Sequence, residues 1–374
     1  DVDGGSDFGR ISLQEMATRL CGSADLFATE PGRGAPASIN FVSCHDGFTL
    51  TDLTRYRSKH NEANGENNND GSSVNHSANF GVEGVTDDPD VIAAREQAAM
   101  NMIGMLLLSL GTPMMLAGDE FRNTQDGNNN AYCQDNDITW LKWDWMYSTN
   151  KTREMRRLET VSRLVALRKS LDLYHHEDFF TRLTQIGLLK PSSRVQWFLP
   201  DGTTPMERDW FDLGVRSFTM RLLSNSEVDV CIVVNGTADD RTFRLPPDTH
   251  WTPKWCSAEI NGRRAGHGTQ VEECDLNGDT TVWTQHVPDA SETVLKMVEE
   301  VAMQRTESST ENEADTIKFA MPVTDHAANG TSSAPRDEVS ADMPDAPVDD
   351  TPDTPVDDNV WTMPALSITL MKQV

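Results

Sequence analysis

Apolar and polar positions follow two different rhythms along this 374-residue chain, and the rhythm changes near residue 190. Before it, helical spacing alternates with short apolar runs. Residues 12–21 (SLQEMATRLC) read as a short helix. Residues 38–44 (SINFVSC) read as a buried strand that ends in His45-Asp46-Gly47. A long polar stretch follows, NEANGENNNDGSSVNHSANFG, and loops of this length in compact domains are usually functional or disordered. Asp88 is placed to cap a strong helix, with Pro89 in its first position and Gly111 just past its end. The run TPMMLAG predicts a second buried strand, ending in Asp119-Glu120, and a second Asn-rich loop, QDGNNNAYCQDND, leads to ITWLKWDW. Residues 152–171 carry apolar residues at Met155, Leu158, Val161, Val165 and Leu171, the spacing of an amphipathic helix. Beyond residue 190, VQWFLPDG, SFTMRLL, VDVCIVVN, RTFRLP and TVWTQHV are short strands with turn residues between them, which predicts a small antiparallel β-domain closed by VWTMPALSITLM.

Composition adds exclusions. The net charge of −27 leaves no basic face for a nucleic-acid backbone, but suits a neutral polyol such as a glucan. No uninterrupted run approaches the roughly 18 apolar residues of a membrane span, so no membrane association is expected. The six scattered cysteines form no CxxC pair and predict free thiols in a reducing cytoplasm. Residues 299–358 hold sixteen acidic residues against Arg305, Lys318 and Arg336, with six prolines and one aromatic residue. Such a segment buries too little apolar surface to offset its ordering entropy, so it reads as an acidic disordered insert in the β-domain.

The candidate chemistry lies where the two predicted strands end in acids. In a β/α barrel, functional side chains stand at the C-terminal ends of parallel strands. Helix capping and loop anchoring are the competing use of such acids. The wording of the motifs decides between them. SINFVSCHDGFTL resembles the strand-seven motif of the alpha-amylase superfamily, and KHNEANGENNNDG, GVEGVTDDP, GTPMMLAGDEF and QDGNNNAYCQDNDITWLKW resemble bacterial glycogen debranching enzymes of the isoamylase type. The resemblance runs from about residue 8 to residue 215. It departs at DEFRNTQ, where the family reads DEFGRTQ, so the loop contacts of Arg122 and Asn123 are in question.

The resemblance implies hydrolysis of α-1,6 branch linkages in glycogen or limit dextrins, by a retaining mechanism without a cofactor or metal. It implies an α/β plus all-β fold: the C-terminal part of a (β/α)8 barrel over 1–175, holding strands seven and eight, then an antiparallel β-sandwich over 176–298 and 359–374. Asp46 matches the third carboxylate, which accepts hydrogen bonds from the distorting sugar, and His45 matches the histidine contacting the same sugar. Asn61, Glu62, Asp119, Glu120, Asn130, Tyr132 and Asp135 are further candidates for sugar contact, with loop-structuring hydrogen bonds the alternative. Glu66, Asn68, Asp70 and Gly71 imitate the start of a calcium loop, but its twelfth position is Ser77, not an acid.

A retaining glycosidase also needs a nucleophile and an acid/base about 5–5.5 Å apart. Neither a GFRFD-like nor an AEPWD-like segment occurs in the sequence. The expectation is therefore a C-terminal half whose nucleophile and acid/base belong to a missing N-terminal half, and which is inactive alone. Asp119, Glu120, Asp135 and Asp137 are poor substitutes, because strand eight adjoins strand one rather than strands four and five. Two other readings stay open: an α-1,4-acting amylase-type enzyme, and a non-catalytic glucan-binding protein or split-enzyme subunit.

Overall fold

A computed structural model describes residues 11–28, 32–176, 194–224, 228–247, 249–268, 270–273, 359–365 and 367–373, with Phe179 and the two-residue strands 182–183, 189–190 and 317–318. Helix α1 (Leu13–Leu20) starts at a capping box: the Ser12 hydroxyl accepts from the Glu15 amide, and the Glu15 carboxylate accepts from the Ser12 amide. Strand β1 (Ile39–Phe41) leads through the candidate segment 42–49 to the short helix α2 (Leu50–Leu53), capped by Thr49. Helix α3 (Pro89–Leu108) begins as the sequence predicts, with Asp88 Oδ1 accepting from the amides of Asp90 and Val91. Among the described helices it alone is long and apolar enough to cross a membrane, but most of it is packed inside the protein.

The second predicted strand shortens to β2 (Thr112–Pro113), which pairs parallel with β1. The amides of Thr112 and Met114 donate to the carbonyls of Ser38 and Asn40, and Pro113 between them has no N–H to offer on the opposite edge. The chain then turns through Gly118 into a single 3-10 turn over Asp119–Phe121, so the Asp119-Glu120 pair stands on a turn rather than on a strand end. Gly111 makes the tight return from α3 possible: its φ is +111°, and a Cβ there would lie 2.8 Å from the Ser38 carbonyl oxygen. On its other edge β1 pairs in parallel with Ile317–Lys318. Those two residues belong to the acidic segment, most of which the sequence reads as disordered. The rest of that segment, and TVWTQHV, lie outside the described residues.

Helix α4 (Arg153–Ser170), capped by Thr152, packs beside α3. The β-region holds β3 (Val195–Phe198), β4 (Ser217–Leu222), β5 (Val230–Asn235), β6 (Arg241–Arg244), β7 (Trp251–Cys256), β8 (Gly266–His267), β9 (Val360–Met363) and β10 (Ser367–Gln373). They form a five-stranded antiparallel sheet, β3-β4-β5-β10-β7, and a three-stranded one, β8-β9-β6. All six residues of β5 are buried because both of its faces are covered. Ile232 and Val234 join the core of α1, α3 and α4, while Cys231 and Val233 pack with Phe243, Trp251, Trp361 and Met363. Trp255 of β7 fills the gap against Gly104 of α3 and is fully buried. An aromatic side chain of this size buries roughly 200 Å2, or about 5 kcal/mol at 25 cal/mol per Å2. Behind β7, Ser257 bonds Asn101, and the Asn261 side chain donates to the Ala93 carbonyl, so polar bonds join the sheet to α3.

Candidate functional site

Two residues past the strand that launches it, the chain leaves β1 through Ser43 and presents His45 and Asp46 to solvent. Their side chains are 88% and 78% exposed, with His45 Nε2 3.5 Å from Asp46 Oδ2. Exposed groups of this kind are positioned by the backbone beneath them, and three anchors hold that backbone. Asp119 grips both sides: its Oδ2 accepts from the Ser43 hydroxyl, and its Oδ1 accepts from the Leu50 amide at 2.9 Å. The third anchor is Gly47, whose amide donates to the Asn129 carbonyl at 3.0 Å. Gly47 itself sits at φ +91°.

Asp119 is 2% exposed and has no path to a sugar, which corrects its candidacy as a substrate contact. Burial pushes its carboxyl up to about 7, against the opposing hydrogen bonds from Ser43 and Leu50 and the charge of Arg157. Glu120 turns back to accept from the Gly118 amide, and burial raises its pKa as well. Asn61 is likewise fully buried rather than sugar-facing. It pairs reciprocally with Asn129: the Asn61 amide nitrogen donates to Asn129 Oδ1 at 2.9 Å, and the Asn129 backbone N–H returns to Asn61 Oδ1 at 3.0 Å. Asn64, Asn128 and Asn130 extend this lattice to Asp70, whose Oδ2 accepts from Asn64 and Asn130. Those two bonds hold the Asp70 carboxyl below its usual range. The asparagine runs of the two loops therefore knit the loops together. Asn is suited to this because one side chain donates and accepts at once.

The one backbone carbonyl that a calcium loop would aim at a cation, at its seventh position, is that of Ser72, and it accepts from the Asn129 side-chain amide at 2.8 Å instead. Lys59 Nζ donates to the carbonyls of Asp70 and Gly71, at 2.7 and 3.1 Å. Among the described residues no three His, Cys, Asp or Glu side chains gather to hold a metal ion. Glu62 and Tyr132 do face solvent, Tyr132 at 84% exposure, and Asp135 accepts from the Trp140 indole at 2.9 Å.

Several supports carried no signal in sequence. Asp52 is fully buried and accepts from the Thr124 hydroxyl and the Gln125 amide, which pins the second loop to α2; burial raises its pKa against those bonds. Glu83 accepts from the amides of Arg57 and Ser58 and from Asn79, and lies 3.3 Å from the His60 ring. Partial burial opposes its ionisation, but these bonds win and lower its pKa to about 2. Beneath Asp119, Glu96 of α3 accepts from Arg157 at 2.8 Å and lies 2.8 Å from Arg122. Arg157 is 1% exposed and also reaches Thr51 and the Asp119 carbonyl.

The chain is 38% identical over 270 residues to a glycogen debranching enzyme of Pectobacterium atrosepticum, a match covering 72% of this chain and 38% of that protein. It is 45% identical over 210 residues to a glycogen operon protein GlgX homolog of Mycobacterium tuberculosis, covering 55% of this chain and 28% of that protein. Over these stretches the chain is homologous to bacterial proteins named glycogen debranching enzyme and glycogen operon protein GlgX. It spans less than two fifths of the length of these relatives. No protein-family model matches it. Among solved structures, pullulanase type I of Bacillus subtilis complexed with maltose superposes with a TM-score of 0.41 at 19% identity, over 64% of this chain and 27% of that one. Against the debranching family's DEFGRTQ, Arg122 stands at the usual glycine position and keeps a glycine-like φ of +70°. An L-residue pays roughly 1–2 kcal/mol for that conformation. The contact with Glu96 offsets it, through charge rather than through an aligned N–H.

Proposed function

We propose that this chain is the C-terminal part of a retaining debranching hydrolase that acts on α-1,6 linkages of glycogen or limit dextrins in the cytoplasm. The observation that carries the reading is the exposed His45-Asp46 pair after a parallel strand, held from below at Ser43, Gly47 and Leu50. In this reading strands β1 and β2 are barrel strands seven and eight, and the two antiparallel sheets are the C-terminal sandwich. The Asp46 carboxylate accepts hydrogen bonds from neighbouring sugar hydroxyls, and these strengthen as the ring flattens toward an oxocarbenium-like transition state. His45 contacts a hydroxyl of the same sugar and favours that geometry. Nucleophile and acid/base come from outside the chain, which by itself binds glucan without cleaving it.

Two measurements test this together. Purified chain is sedimented with glycogen, and the supernatant of a parallel digest of β-limit dextrin is assayed for linear maltooligosaccharides. Co-sedimentation that Asp46→Asn and His45→Ala weaken, with no release of oligosaccharide, supports the proposal. Release of linear oligosaccharides by the chain alone overturns its inactivity. Equal retention on amylose and limit dextrin favours an α-1,4-acting relative.

A further inference from the structure

A lysine on a polar loop ordinarily keeps its charged head in water. Lys59 is half-buried, and its ammonium group meets three consecutive backbone carbonyls: Asn69 at 3.4 Å, Asp70 at 2.7 Å and Gly71 at 3.1 Å. A protonated amine carries three N–H donors and no acceptor, so each carbonyl can receive one of them. Carbonyl oxygens converging on one point repel each other unless a positive charge sits between them.

The loop is built around this contact. The Asn68 side-chain amide donates back to the Lys59 carbonyl at 3.0 Å, and Asn68 Oδ1 accepts from the Asn61 backbone amide at 2.9 Å. The Asn61 side chain gives the Asp70 carbonyl a second hydrogen bond, also at 2.9 Å. Asn67 and Asn68 hold φ of +53° and +60°, a reversal that residues other than glycine adopt only at a cost. Asp70 completes the set of oxygens. Its Oδ2 is taken by Asn64 and Asn130, while its Oδ1 is shielded from solvent and meets no hydrogen-bond donor among the described residues. After the bonds from Asn64 and Asn130, the Lys59 charge also helps to hold this carboxyl below its usual range. From here the contacts run to the candidate site. Asn130 belongs to the second loop, where Asn129 bonds Asn61 and gives its carbonyl to the Gly47 amide, next to His45-Asp46.

We propose that the carbonyls of Asn69, Asp70 and Gly71 form a primary-ammonium site whose resident ligand is the Lys59 side chain, and that Lys59 is thereby a positioning residue for His45-Asp46. The positioning role rests on the glucan reading; the ammonium site does not. Lys59→Met removes the charge at similar length, and Lys59→Ala leaves room for a free amine. Lys59 lies outside both apolar clusters, so both variants are expected to keep the circular dichroism melt of the wild type. In hydrogen exchange of the full chain, Lys59→Met should speed the amides of residues 61–75 about tenfold and leave those of α3 unchanged. Methylammonium chloride should slow exchange again in Lys59→Ala. Tetramethylammonium chloride at the same ionic strength has no N–H to donate and should not. Wild-type exchange rates in Lys59→Met, or an equal response of Lys59→Ala to the two salts, overturns the ammonium site. Glycogen co-sedimentation reads the positioning role: retention should fall in both variants and return in Lys59→Ala with methylammonium alone. Wild-type and variant chains retained equally would refute that role. A wild type that is not retained would refute the glucan reading, with the ammonium site still decided by exchange.

Discussion

Replacing Asp119 by Asn should remove a pH dependence from the stability of the site's foundation. The amide keeps the geometry: Oδ1 still accepts from Leu50, and the new amide donates to a rotated Ser43 hydroxyl. What it removes is an ionisable group in a dry place. The carboxyl rises from 3.8 to about 7 on folding. At about 1.4 kcal/mol per tenfold, that rise corresponds to at most on the order of 4 kcal/mol. The sign follows from which state holds the proton. Below about pH 4 both states are protonated and the contribution is fully present. As pH rises toward 7 the unfolded chain releases its proton, the folded one keeps it, and stability falls. Urea unfolding of the wild type and of Asp119→Asn, measured from pH 4 to pH 8, should give a difference that grows with pH in favour of the variant. Carboxylates with lowered pKa, such as Glu83 and Glu96, lose stability in acid equally in both proteins and cancel in the difference. Parallel stability curves for the two proteins across this range would refute the assignment of a neutral buried Asp119.

Three further outcomes follow from the packing. Glu96→Gln leaves Arg157 and the mostly buried Arg122 without their carboxylate, and should cost about 3–5 kcal/mol in urea unfolding; a loss under about 1 kcal/mol would show that the network is solvated. Gly104→Ala places a Cβ 2.8 Å from Trp255 Cη2 and should destabilise by about 1–3 kcal/mol, with a shift in Trp emission as the ring is displaced; unchanged emission and melting would contradict the close approach. Asn129→Ala removes the Asn61 partner and the Ser72 and Asn75 bonds while retaining the carbonyl that receives Gly47. It should speed amide exchange across residues 61–75 and weaken glycogen co-sedimentation severalfold; unaltered exchange would mean that the two loops hold themselves.

Much of the local structure is written in short stretches of sequence, because capping and turn chemistry act over three or four residues. Asp88-Pro89 starts α3, Ser12 with Glu15 starts α1 and Thr152 starts α4, all within a residue or so of where the pattern places them. The strands from Val195 to Arg244 follow the alternation beyond residue 190. The short β2 departs from its pattern, since an apolar run cannot show that Gly118 turns the chain. β7 and the following turn gave no clear rhythm, because Lys254 and Pro253 interrupt an element whose packing is decided by Trp255.

The site divides along the same line. Sequence alone determined the kinship and singled out His45-Asp46, because those rest on residue identity at fixed spacing. It could not sort the polar loop residues into those that face a ligand and those that hold the loops. Asn61 and Asp119 looked as available as Glu62 and Tyr132, yet the first two are buried and the last two exposed. The sorting depends on partners 61 to 76 positions away, Asn129 for Asn61, Ser43 and Leu50 for Asp119, Arg157 for Glu96. Burial and protonation are properties of a folded neighbourhood, and only the tertiary structure brings those neighbours within a hydrogen bond of each other.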